Sequence, residues 1–168
     1  MGSKIHLTSE SGKGSSFSFE LEFEKGVANI AKIEVVPDLT LLNEKKVLLV
    51  EDNKINQMIT QKMLEKRGIS CKIIDNGEDA IEDAKVNNYD LILMDVHLPG
   101  INGTEATSEI RKFNTSTPIV ALTAISLNEN REMLLSYGMN EVITKPFEPE
   151  HFYTVVTKYL TSTEQSNS

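Results

Sequence analysis

A single cysteine, Cys71, stands in the 168 residues. That excludes an internal disulfide framework and any thiolate zinc cluster, and it points to a reducing compartment. No stretch approaches the ~18 consecutive apolar residues that a membrane helix needs, and the start lacks the basic-then-apolar pattern of a secretory signal. Positive charge is also in deficit: 17 Lys and Arg face 25 Asp and Glu, a formal net charge of −8. A chain this acidic is poorly suited to hold a nucleic-acid backbone by itself. Internal repeats and low-complexity tracts are absent. The expectation is a cytoplasmic protein piece without membrane contact of its own. What is present suffices for a core, with 39% hydrophobic and 25% charged residues, the proportions of an ordinary folded domain.

Pattern, rather than charge, divides the chain. Phe17-Ser18-Phe19-Glu20-Leu21-Glu22-Phe23 alternates strictly, as do Ile5 and Leu7, and Ser11-Gly12-Lys13-Gly14 supplies turn residues between them. The spacing predicts a two-stranded hairpin over about residues 4–24, too small to be stable alone in water. Residues 26–44 lack a sustained period and read as a linker, with Val27, Ile30 and Ile33 hinting at a short helix. The polar residues 162–168 read as a flexible tail.

Residues 45–161 are regular. Val47-Leu48-Leu49-Val50, Leu91-Ile92-Leu93-Met94 and Ile119-Val120-Ala121-Leu122 are short continuous apolar runs, the mark of strands buried on both faces of a parallel sheet. Cys71–Ile74 and Glu141–Ile143 are weaker strands. Helical stripes intervene: Ile55, Met58, Ile59 and Met63; Ala80, Ile81 and Ala84; a segment from Thr104 to Lys112; Met133 and Leu134 after a capping-box spacing at Ser126–Glu129; and Phe152, Val155, Val156 and Tyr159 after Pro149. Five strands alternating with five helices predict an α/β domain, doubly wound, with helices on both faces.

In such a sheet, function sits beyond the carboxyl ends of the strands. Those positions hold Glu51-Asp52, Asp95, Thr123 and Lys145-Pro146. Three carboxylates brought together repel unless a cation joins them. Magnesium prefers oxygen ligands and keeps company with phosphate, while Lys145 offers a point charge for a phosphoryl oxygen. An aspartate nucleophile, a metal and a lysine are sufficient for phosphoryl transfer to a carboxylate.

Residues 45–161 resemble a response-regulator receiver domain, through Val47-Leu48-Leu49-Val50-Glu51-Asp52-Asn53, Leu93-Met94-Asp95-Val96-His97-Leu98-Pro99-Gly100, Ala121-Leu122-Thr123-Ala124 and Thr144-Lys145-Pro146-Phe147. The resemblance implies a flavodoxin-like five-stranded parallel sheet of order 2-1-3-4-5. It implies that Asp95 accepts a phosphoryl group from a phosphohistidine, donated by a histidine kinase or a histidine phosphotransfer protein. Glu51, Asp52 and Asp95 would hold Mg2+, or Mn2+ in its place, with Glu51 acting through water and the His97 backbone carbonyl completing the protein ligands. Lys145 would bind the phosphoryl group, Thr123 would swing its hydroxyl onto it as the switch, and the Lys145–Pro146 bond would be cis. Residues 5–19 resemble the closing strands of a histidine kinase ATP-binding domain. The asparagine box, adenine pocket and ATP lid of such a domain have no counterpart, so ATP binding is not expected. Together these features resemble the C-terminal piece of a hybrid histidine kinase whose remainder could be anchored in a membrane. The residues leave its oligomeric state open.

Two positions depart from the family pattern. Val142 stands where an aromatic switch residue often sits, which implies a modest rearrangement on phosphorylation. Ile125, two residues past Thr123, is apolar where a water-orienting residue can stand, as His97 flanks the same path; a slowly hydrolysed acyl phosphate is the expectation. His6 and His151 carry no motif. Glu78, Asp79, Glu82 and Asp83 read as a solvated helix start, Met58, Met63 and Met94 as core filler, and Cys71 as a small buried hydrophobe. A haloacid-dehalogenase-type phosphatase would need a second aspartate where His97 stands. A receiver-like docking module that is never phosphorylated is the remaining alternative, against which the intact acidic set argues.

Overall fold

The computed structural model describes residues 4–10, 14–20, 42, 44–124 and 127–162. The chain separates into two compact units, Met1–Val35 and Val36–Ser168. In the first, β1 (Lys4–Glu10) and β2 (Gly14–Glu20) pair antiparallel, with Ile5 opposite Phe19 and Leu7 opposite Phe17. The short helix anticipated near Val27–Ile33 and the final residues 163–168 lie outside the described residues.

The second unit carries β3 (Lys46–Val50), α1 (Lys54–Glu65), β4 (Ser70–Ile74), α2 (Gly77–Val86), β5 (Leu91–Asp95), α3 (Gly103–Arg111), β6 (Ile119–Thr123), α4 (Leu127–Ser136), β7 (Glu141–Thr144) and α5 (Pro149–Ser162). Its five strands are all parallel in the order β4-β3-β5-β6-β7. Numbered within the sheet this is 2-1-3-4-5. The continuous apolar runs serve two cores at once, because successive side chains leave a strand on opposite faces. Leu48, Val50, Ile92, Met94, Ile119 and Ala121 pack with Ala80, Ile81, Ala106, Ile110 and Leu134 of α2, α3 and α4. Val47, Leu49, Leu91, Leu93, Val120 and Leu122 pack with Leu64 of α1 and Phe152, Val155, Val156 and Leu160 of α5. Leu42, ahead of the sheet, joins this second core. Among the described residues no helix is long and apolar enough to cross a membrane.

Helix α1 corrects the sequence reading. Its core-facing residues are Gln57, Thr60 and Leu64, whereas Ile55, Met58 and Ile59 are 66%, 51% and 47% exposed. The most apolar stripe of this helix therefore faces away from the sheet, and Met58 fills no core. Gln57 can turn inward because its side-chain amide donates to the Glu51 carbonyl at 2.5 Å, so its polar group is buried with a partner. The acidic start of α2 is likewise more than solvated. Glu78 accepts from the Ile101 amide at 3.0 Å, and Asp83 accepts from Lys72, Tyr89 and Asn87.

Candidate phosphoryl-acceptor site

The parallel order brings the carboxyl ends of β3, β5, β6 and β7 to one edge. Asp95 is the last residue of β5, paired across the sheet with Leu122, and Thr123 closes β6 beside Thr144. The chain leaves β3 at Glu51, whose amide donates to the Ile74 carbonyl at 3.0 Å. Asn53 then caps α1, its side chain accepting from the amides of Ile55 and Asn56, and so fixes where the helix starts relative to the acids. The main chain is stitched further by bonds from the Val96 amide to the Leu122 carbonyl, 3.0 Å, and from the Lys145 amide to the Thr123 carbonyl, 2.7 Å.

Glu51 is wholly buried, Asp95 and Thr123 are nearly so, and Asp52 is exposed. Carboxylate oxygens of Glu51, Asp52 and Asp95 all lie within 4.8 Å of one another. Lys145 reaches over them, its ammonium 2.5 Å from Glu51 Oε2 and 2.7 Å from Asp95 Oδ2. The other oxygen of Asp95, Oδ1, accepts from the His97 amide at 3.0 Å. Glu51 Oε1 accepts from the Asn53 amide at 3.3 Å and from Asn56 Nδ2 at 3.0 Å. Three carboxylates against one ammonium leave two negative charges in surplus. That balance and the all-oxygen donor set fit a divalent hard cation.

The remaining residues singled out from the sequence fall as follows. His97 is exposed and, with Thr123, lines an open pocket of about 220 Å3 together with Val96, Asn102, Thr104, Met133, Leu134 and Tyr137. Val142 is buried in the core under α4 rather than at the cluster. The Lys145–Pro146 bond is cis. Ile125 and Ser126 lie outside the described residues. His151 is exposed on α5.

The family model of the response regulator receiver domain matches residues 47–157. The chain belongs to that family. The receiver is 33% identical to the aerobic respiration control sensor protein ArcB of Escherichia coli over all of this chain and 22% of that protein. It is 35% identical to the transcription factor SKN7 of Saccharomyces cerevisiae over 73% of this chain and 20% of that protein. It thus spans about a fifth of the length of these relatives. Among solved structures, the receiver domain of the sensor histidine kinase PA1611 from Pseudomonas aeruginosa, described with magnesium coordinated in its active-site cleft, superposes with a TM-score of 0.65. It is 37% identical, over 70% of this chain and 98% of that one.

Three residues of the receiver's site were not singled out from the sequence. Asn56 and Gln57, neighbours in the first turn of α1, hold the side chain and the main chain of Glu51. Gly103 opens α3 directly against the end of β5, where an added Cβ would collide with the Asp95 carbonyl oxygen. A signal for the last was present: Asn102 and Glu105 have capping-box spacing, and both reciprocal bonds form.

Proposed function

We propose that this receiver accepts a phosphoryl group on Asp95 from a phosphohistidine, in a magnesium-dependent reaction, and relays or switches within a hybrid histidine kinase. A carboxylate oxygen of Asp95 bonds to phosphorus as the bond from phosphorus to the imidazole nitrogen breaks. The product is an acyl phosphate, and the donor histidine is released. Glu51, Asp52 and Asp95 would hold the ion, with the His97 carbonyl beside them. Bound there, magnesium supplies charge neutralisation for the phosphoryl oxygens. Lys145, already between Glu51 and Asp95, steers and holds the incoming phosphoryl oxygens. Thr123 presents its hydroxyl from the end of β6 as the switch. The observation that carries this reading is the buried pair of carboxylates bridged by one lysine, with a third carboxylate within reach.

The exposed apolar face of α1 supports a protein donor. Ile55, Met58 and Ile59 follow the residues of the acidic edge in the chain, and a helical partner carrying the phosphohistidine would bury them. The alignment with ArcB over the whole chain supports placing residues 1–25 in the kinase part, with 26–44 as linker and 45–161 as receiver. Intact mass after incubation with acetyl phosphate and Mg2+ tests the reaction. The wild-type chain gains one phosphoryl group and Asp95→Asn gains none; a receiver-like docking module gains none in either form.

A further inference from the structure

Glu51 is the one fully buried member of the acidic set, and its two oxygens are divided between different parts of the fold. Oε2 meets Lys145 from the far edge of the sheet. Among the described residues, Oε1 meets groups of the α1 start: the Asn53 amide at 3.3 Å and Asn56 Nδ2 at 3.0 Å. The Asn53 side-chain oxygen serves the helix instead, accepting from the Ile55 amide at 2.9 Å and from the Asn56 amide at 3.2 Å. The terminal torsion of a glutamate is soft and two-fold. Lys145 holds Oε2, but a single long backbone bond holds Oε1 only weakly, and the Asn56 amide supplies the second bond to that oxygen. Gln57 acts separately, holding the carbonyl of the same residue.

We infer that Asn56 is a positioning residue for the ion site: its amide locks the Glu51 carboxylate in the orientation that serves the cation and Lys145 together. This rests on the magnesium-dependent acceptor reading given above. Asn56 itself touches neither the reacting carboxylate nor the lysine; it acts through Glu51. Residues that orient the groups around a bound metal typically govern affinity by 10- to 100-fold.

The test compares the whole chain with Asn56→Ala and Asn56→Leu. The second keeps the approximate side-chain volume but removes the donor, and it serves where the alanine variant does not fold. Mg2+ affinity is measured by calorimetric titration, thermal midpoint in chelator, and phosphoryl incorporation from acetyl phosphate across Mg2+ concentrations. Both variants are expected to bind Mg2+ about 10-fold or more weakly. Their half-saturating Mg2+ for phosphorylation rises in step, while the midpoint in chelator stays close to wild type. Unchanged Mg2+ affinity in folded variants, with or without a lowered midpoint, overturns the role of Asn56. A wild-type chain that neither binds Mg2+ nor takes up phosphoryl groups overturns the site reading and the inference with it.

Discussion

Lys145 and Asp95, fifty residues apart in sequence, are joined by an ion pair of 2.7 Å at the carboxyl edge of the sheet. The same ammonium lies 2.5 Å from Glu51, which has no exposed surface. Truncating Lys145 therefore leaves buried negative charge without its partner, a loss of about 3–5 kcal/mol for such pairs. Lys145→Ala is expected to unfold at lower temperature in chelator, to regain part of the loss with Mg2+, and to take up phosphoryl groups about 10²-fold more slowly. Thermal melts with and without Mg2+ and timed labelling check this. A variant as stable as wild type in chelator would contradict the pairing.

Gly103 sets the distance between α3 and the end of β5. A methyl group there meets the Asp95 carbonyl and crowds the Met94 side chain. Gly103→Ala is expected to cost about 1–3 kcal/mol and to slow labelling of Asp95 by displacing it. Denaturant unfolding together with labelling rates measures both effects.

Asp83 gives the fold an acid-sensitive link. Burial pushes its carboxyl upward, but hydrogen bonds from Lys72, Tyr89 and Asn87 prevail and hold it below its ordinary value. A depressed folded value means that its contribution is complete above the ordinary carboxylate range and is lost as pH falls through the folded value. Glu141, paired with Arg131 and Lys158, is lowered as well and adds the same sign. Tyr89, raised by burial and by its bond to Asp83, stays protonated as the donor. Asp83→Asn should flatten the acid limb of a stability-versus-pH curve, and an unchanged limb would show that the link carries no weight.

The outer face of α1 should behave as surface and its inner face as core. Ile55→Ser, Met58→Ser and Ile59→Ser are each expected to change stability by no more than about 0.5 kcal/mol and to leave labelling by acetyl phosphate intact. Leu64→Ala, which empties a fully buried site, should cost about 2–5 kcal/mol. Chemical denaturation of the four variants separates the two faces.

That helix also marks where sequence legibility ended. The strands of the sheet were readable because Leu48, Leu93 and Val120 sit in unbroken apolar runs, which only strands covered on both faces require. The convergence of Glu51, Asp52, Asp95, Thr123 and Lys145 followed from the parallel order, since every strand then ends at the same edge. In α1 the rule that apolar residues face inward misled, because an apolar surface left exposed outweighs the buried Gln57 and Thr60 in any periodic pattern. Gln57 and Asn56 have roles defined by where Glu51 lies in space, and no spacing along the chain announces such a bond. Cys71 was readable in kind: half-buried beside the second core, with its thiol pushed up to about 12 by burial and by Glu65.

The central claim is an acyl phosphate on one named side chain, and reductive mapping tests it most directly. After labelling with acetyl phosphate and Mg2+, borohydride reduces an acyl phosphate of aspartate to homoserine, and peptide mass spectrometry locates the change. The account predicts homoserine at position 95, dependent on Mg2+ and lost in Lys145→Ala at matched times. Homoserine at position 52, or a phosphoryl group found only on serine, threonine or histidine, would contradict it.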